Sequence, residues 1–141
     1  MLPANPQCPN GIGAVFYDLD GTILNLDYIS PRTIAAMEET TRAGCVNVVC
    51  TGRNFPIVPD ILKYGSVDLY ITVNGGQILD PLGNHLLSKA IPKQKALDLA
   101  AWLHEEGAGL NCLTSICAYF ENRLVSYMTQ AVHRVENSDR L

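Results

Sequence analysis

A chain of 141 residues, 48% apolar and 17% charged, has material for one cored domain, and its balance argues against a disordered polymer. Its 10 basic and 14 acidic residues give a net charge of −4 with no basic cluster, which excludes nucleic acid held by its phosphate backbone. No apolar run reaches the length of a membrane span, and residues 1–10 lack the charged start and apolar core of a signal peptide, so the expected location is cytoplasmic, with no membrane partner. Five cysteines, odd in number and without a CxxC pair, and three scattered histidines offer no zinc spacing; Cys45 and Cys50, flanking a Val-rich run, read as small buried hydrophobes.

Taken in chain order, Ala14-Val15-Phe16-Tyr17 is a short apolar run that ends at Asp18-Leu19-Asp20-Gly21-Thr22, the pattern of a buried strand delivering its C-terminal end to a loop. Ser30 caps a helix with Pro31 in its first turn, and Gly44 is placed to stop it after Ala43. A second strand, Val46 to Cys50, ends at Thr51-Gly52-Arg53. A short helix over roughly Val58 to Tyr64 stops at Gly65, and a third strand, Leu69 to Val73, ends at Asn74-Gly75-Gly76. This alternation is that of a parallel sheet with helical crossovers. Asp18, Asp20, Thr51, Arg53 and Asn74 all collect at strand C-termini, the edge where ligands bind in open α/β sheets.

Further along, Asp80-Pro81-Leu82-Gly83-Asn84 is the turn of a β-hairpin between two short apolar runs. Pro92 opens a helix to about Glu106, with Ala96, Leu99, Ala100 and Leu103 at helical spacing and Gly107 as its stop. Leu110 to Thr114 and Ile116 to Glu121 read as short strands, and Leu124 to Val135 as a helix.

The chemistry centres on Asp18 and Asp20. At a strand end, where the chain bends into Gly21, both carboxylates can turn towards one ligand. Asp18 could attack phosphorus and form an aspartyl-phosphate, while Asp20 protonates the leaving alkoxide and later activates water. That division of labour requires different environments for the two carboxyls. A hard divalent cation would neutralise charge on nucleophile and phosphate, and oxygen ligands with phosphate chemistry point to Mg²⁺.

Val15-Phe16-Tyr17-Asp18-Leu19-Asp20-Gly21-Thr22-Ile23-Leu24 resembles the first motif of the haloacid dehalogenase (HAD) superfamily, an apolar strand followed by DxDGT. Val48-Val49-Cys50-Thr51-Gly52-Arg53 is similar to its second motif, and the Thr-Gly-Arg form with Asn74-Gly75 resembles the Cof-like subfamily, HAD-IIB. The resemblance implies an α/β fold: a Rossmann-like core, partial here as three parallel strands plus a hairpin over residues 1–88, then the beginning of a C2-type α/β cap over residues 89–141. It implies Asp18 as nucleophile and metal ligand, and Asp20 as acid/base and as metal ligand through its carbonyl. The Leu19 amide, the Thr51 hydroxyl and the Gly52 amide would hold phosphoryl oxygens, and the substrate would be a small phosphorylated metabolite, such as a sugar or cofactor phosphate.

Three roles are open for Arg53, a substrate contact, a bridge to the cap or a solvated surface group, and two for Asn74, a substrate contact or a left-handed turn residue. The family's later lysine and acidic pair are not found: Lys63, Lys89, Lys93 and Lys95 precede or open the cap, and Asp139 sits in a polar tail with no strand before it. The expectation is therefore a fragment that binds Mg²⁺ poorly, is inactive by itself, and exposes the edge of its first strand. A phosphate-binding or regulatory module without turnover is the alternative from another class. A receiver-like phosphoacceptor is disfavoured by Asp20-Gly21-Thr22, and a dinucleotide fold by the position of Gly11-Ile12-Gly13 before the first strand.

Overall fold

A computed structural model describes residues 13–25, 28–63 and 65–121. They fall into two compact units that part between Lys89 and Ala90. The expected helix from Leu124 to Val135 and the polar tail with Asp139 lie outside the described residues.

The first unit is a five-stranded mixed sheet in the order β1-β2-β3-β4-β5. Strands β1 (Ala14–Asp18), β2 (Val46–Cys50) and β3 (Leu69–Thr72) run parallel, and β4 (Gln77–Leu79) and β5 (His85–Ser88) continue it antiparallel. The register pairs Ala14 with Val46 and Asp18 with Cys50, so the first two strands end level with each other. β2 is flanked on both sides, and Asn47, Val48 and Val49 are buried in succession, the near-continuous apolar run of a strand covered on both faces. β1 and β5 are the two edge strands among the described residues, and Phe16 on β1 is 63% exposed.

Helix α1 (Pro31–Arg42) links β1 to β2 with both ends closed by local chemistry. The Ser30 hydroxyl accepts from the Thr33 amide at 3.0 Å, and Pro31 fits the first turn, where its missing N–H costs no helical bond. At the other end Gly44 has φ +81°, with Gly44 N donating to Thr41 O and Cys45 N to Thr40 O, the double closure of a Schellman motif. Met37 is the buried residue of this helix, in a core with Leu19, Leu24, Val49, Val58, Leu62, Tyr70 and Leu79. Full burial of each such aliphatic side chain contributes about 1.5–3 kcal/mol.

One polar residue sits in that core without penalty. Asn47, fully buried in β2, donates through Nδ2 to Met37 O, Thr41 Oγ1 and Ser66 O and accepts from the Tyr17 hydroxyl at 3.1 Å. It thereby ties β1, α1, β2 and the approach to β3 together. Cys50 is a half-buried free thiol, whereas Cys45, read from the sequence as a buried hydrophobe, is buried and disulfide-bonded.

Between β2 and β3 a single 3₁₀ turn, Phe55–Ile57, precedes the short helix α2 (Asp60–Lys63). The helix begins two residues later than the expected Val58. Val58 precedes Pro59, whose ring disfavours helical backbone in its predecessor, and Val58 is extended at φ −71°, ψ 134°. Tyr70 is fully buried beneath this segment: its hydroxyl donates to Leu62 O at 2.6 Å, and its ring meets Phe55 edge-on at 5.1 Å. Burial drives the Tyr70 phenol well above its ordinary range.

The β4–β5 turn is built by Asp80, which accepts from Leu82 N, Asn84 N and Asn84 Nδ2, with Gly83 at φ +83°. These donors, the Asn84 amide foremost, hold the Asp80 carboxyl below the usual carboxylate range.

The second unit contains α3 (Lys93–Glu105) and an antiparallel pair, β6 (Asn111–Leu113) and β7 (Ala118–Phe120). Ala96, Ala100 and Leu103 form the half-buried stripe of α3 while Leu99 is 46% exposed, so the apolar face is narrower than the spacing implied. Gly107, at φ +70°, ends the helix as expected, with Ala108 N donating to Leu103 O.

Candidate active site

The loop after β1 is organised by the residue between the two aspartates. Leu19 is fully buried, and the amides of Thr22, Ile23 and Leu24 all donate to its carbonyl at 2.9–3.1 Å. Anchoring Leu19 inward, in the turn that follows β1, leaves the aspartates on either side of it outside the core. Both carboxylates are exposed. Gly21, at φ +78°, makes the reversal that returns its own amide to Leu24 O at 2.9 Å. The Thr22 hydroxyl then donates to Asp18 Oδ2 at 3.2 Å, so the fifth residue of the motif orients the first. Sequence reasoning assigned Thr22 no role; the spacing of four residues across a Gly turn was the available signal.

β2 brings its own end alongside. Asp18 pairs with Cys50, so Thr51, Gly52 and Arg53 emerge beside the aspartate loop. Charge on Asp18 contributes, after burial, to holding the Cys50 thiol above its ordinary range. Thr51 is buried at 6% exposure, and its hydroxyl oxygen accepts from the Arg53 amide at 3.1 Å, which leaves the hydroxyl hydrogen to be donated elsewhere. Gly52 is exposed, and a Cβ there would meet Asn74 Oδ1 at 3.1 Å, so a larger residue would push against the β3 turn.

That turn is unusual in its backbone. Val73 and Asn74 both have φ +52°, followed by Gly75 at φ +90°, three left-handed residues in succession. Asparagine and glycine tolerate this region, but a β-branched valine does so at a cost of about 1–3 kcal/mol. Two hydrogen bonds hold it: Val73 N to Arg53 O at 3.0 Å and Asn74 N to Thr51 O at 3.2 Å. The ends of β2 and β3 are thus stitched together. Asn74 itself adopts a left-handed turn conformation, with φ +52° and ψ +39°.

Arg53 is neither a free surface group nor a free ligand. Its Nε donates to Asp20 Oδ2 at 3.0 Å and its Nη2 to Asp20 Oδ1 at 2.6 Å, a two-pronged clamp on one carboxylate, while Nη1 donates to Ile57 O at 3.1 Å. Asp18, Asp20, Thr51, Gly52, Arg53 and Asn74 therefore belong to one connected rim at the C-terminal ends of β1, β2 and β3. For a cation this rim offers hard oxygen donors of the kind Mg²⁺ takes. Among the described residues no group of three or more His, Cys, Asp or Glu side chains stands at metal-binding spacing.

Comparison with known proteins identifies the family. Residues 15–140 match the haloacid dehalogenase-like hydrolase family, and the chain belongs to that family. It is 33% identical over 104 residues to the phosphatase YwpJ of Bacillus subtilis (strain 168), across 72% of this chain and 36% of that protein. Among solved structures, a haloacid dehalogenase-like hydrolase from B. subtilis superposes with a TM-score of 0.72 at 30% identity, covering 81% of this chain and 41% of the other. The HAD subclass IIB sugar phosphatase BT4131 shares the fold, with a TM-score of 0.70 at 24% identity, over 83% of this chain and 47% of its own. The chain thus spans between a third and a half of the length of these relatives.

Proposed function

We propose that this chain carries the nucleophile half of a phosphatase site that hydrolyses monoesters of small metabolites, such as sugar or cofactor phosphates, through an aspartyl-phosphate. The observation that carries the reading is the level ending of β1 and β2, which sets Asp18 beside Cys50 and immediately before Thr51. One relative is a phosphatase and one structural neighbour a sugar phosphatase, which supports the substrate class.

In this reading a carboxylate oxygen of Asp18 attacks phosphorus as the P–O bond to the leaving group breaks, and Asp20 gives its proton to the departing alkoxide. Asp20 then takes a proton from water, the resulting hydroxide attacks phosphorus, and the Asp18–phosphorus bond breaks to release inorganic phosphate. The Leu19 amide, the Thr51 hydroxyl and the Gly52 amide donate to the equatorial oxygens, where charge accumulates. The Asp18 carboxylate and the Asp20 carbonyl would hold Mg²⁺, which when bound offsets the negative charge shared by nucleophile and phosphate. The residues from Lys89 onward are read as the opening of a cap that excludes water and selects the leaving group.

The test is hydrolysis of p-nitrophenyl phosphate by the complete gene product with Mg²⁺. Asp18→Asn should reduce kcat by about 10³-fold or more without altering thermal stability. Binding of the ester without turnover in the unaltered protein would favour the phosphate-binding module instead.

A further inference from the structure

The clamp between Arg53 and Asp20 conflicts with the work just assigned to Asp20. Both of its carboxylate oxygens are engaged by one guanidinium, at 3.0 and 2.6 Å. The fork covers the edge between the two oxygens, where a carboxylic proton would sit, and leaves only the outer lone pair of each oxygen. Either Asp20 is not the acid/base or the clamp opens during the cycle.

The surroundings of Arg53 favour opening. Its backbone is fixed at both ends of the residue, with its amide on Thr51 Oγ1 and its carbonyl receiving Val73 N. The guanidinium has a separate anchor, since Nη1 donates to Ile57 O at 3.1 Å. The Nε–Nη2 edge is therefore the part that can exchange partners while the head group stays at the rim. That edge is a planar fork matched equally to a carboxylate and to two oxygens of a phosphate. Its present partner is only half held by its surroundings: the Asp20 side chain is 56% exposed, against 25% for Arg53. An exposed partner is readily lost to water, whereas the guanidinium keeps its place.

We propose that Arg53 is a substrate-operated latch: it clamps Asp20 in the resting molecule, and an arriving phosphate takes over the Nε–Nη2 edge and frees Asp20 to face the leaving group. The inference rests on the phosphoryl-site reading above and adds the regulation of that site. Arg53 in this role is a positioning residue with respect to Asp20, and the exchange links occupation of the site to release of the acid/base. An empty site would then hold its acid/base in reserve.

The experiment is a double-mutant cycle on the affinity of inorganic phosphate, measured by calorimetry with Mg²⁺ present on the complete gene product. If carboxylate and phosphate compete for one fork, D20N should tighten phosphate binding about tenfold, and R53Q should weaken it by a similar factor. In the R53Q background D20N should then change affinity less than twofold, and R53K, which keeps the charge but not the fork, should behave as R53Q. An equal gain from D20N in both backgrounds would reveal a general field effect and overturn the latch, as would no gain at all. A second readout needs no variant: the Arg53 Nε–H resonance should shift on adding phosphate to the unaltered protein, and a resonance that stays in place during saturation overturns the proposal. Failure of every form to bind phosphate would overturn the phosphoryl-site reading itself, and the latch with it.

Discussion

Leu19 shows how a single apolar side chain does structural work for its polar neighbours. Because it is fully buried and its carbonyl gathers three amides, the chain on either side of it has little freedom, and Asp18 and Asp20 are presented together. Tyr70 plays the comparable part beneath the β2–β3 connection. Its hydroxyl donates to the carbonyl of Leu62, which also accepts from Gly65 N at 3.2 Å, so Tyr70→Phe should cost about 0.5–1.5 kcal/mol by removing one of two donors, seen as a lowered Tm. The phenol pKa is raised on folding, so the folded state favours the protonated form. This contribution is complete below the usual phenol range and is lost as pH rises from about 10 towards the raised value. Alkaline unfolding should therefore be less steep in Tyr70→Phe than in the unaltered protein; equal steepness would contradict this origin. At this scale the sequence displayed Asp18, Asp20 and Thr51 through their spacing and the strand ends that deliver them. It could not display the Arg53–Asp20 clamp, because a contact across 33 residues depends on how two loops fold over the sheet edge.

Elements were most legible where their ends carry local chemistry. Ser30, Pro31 and Gly44 bracket α1, and Gly44 at φ +81° is there because an L side chain strains that backbone. Gly44→Ala should lower stability by about 1 kcal/mol in denaturant unfolding, with the m-value unchanged, whereas the same change at exposed Gly52, outside the left-handed region, should act on the Asn74 contact instead. The α2 boundary differs from the apolar pattern because Pro59 keeps Val58 out of helical backbone. The left-handed run at Val73–Gly75 was half legible. Asn74 and Gly75 suit that conformation, but nothing local marks Val73, which is held there by bonds from the neighbouring strand end. The buried face of α3 is narrower than its period implies, with Leu99 46% exposed, since period alone does not say how much of a stripe finds a partner.

For the molecule as a whole, the fold class was readable from the alternation of strand and helix, and β1 lies at one edge of the described sheet. Phe16, 63% exposed on that strand, makes this edge apolar. The 141-residue chain should self-associate as its concentration rises, and Phe16→Lys should reduce that association in sedimentation velocity while leaving the circular dichroism spectrum unchanged. A chain that stays monomeric throughout would contradict the exposed edge.

The shared rim has meaning only if Asp18 is the atom donor that phosphorus meets. The most direct measurement is to quench the complete gene product during turnover of a phosphate ester, reduce it with borohydride, and sequence the peptide containing residue 18. An acyl-phosphate is reduced to the alcohol, so the account requires homoserine at position 18 and unchanged aspartate at position 20. Aspartate recovered intact at both positions from an enzyme that is turning over, or homoserine at 20 instead, would contradict it.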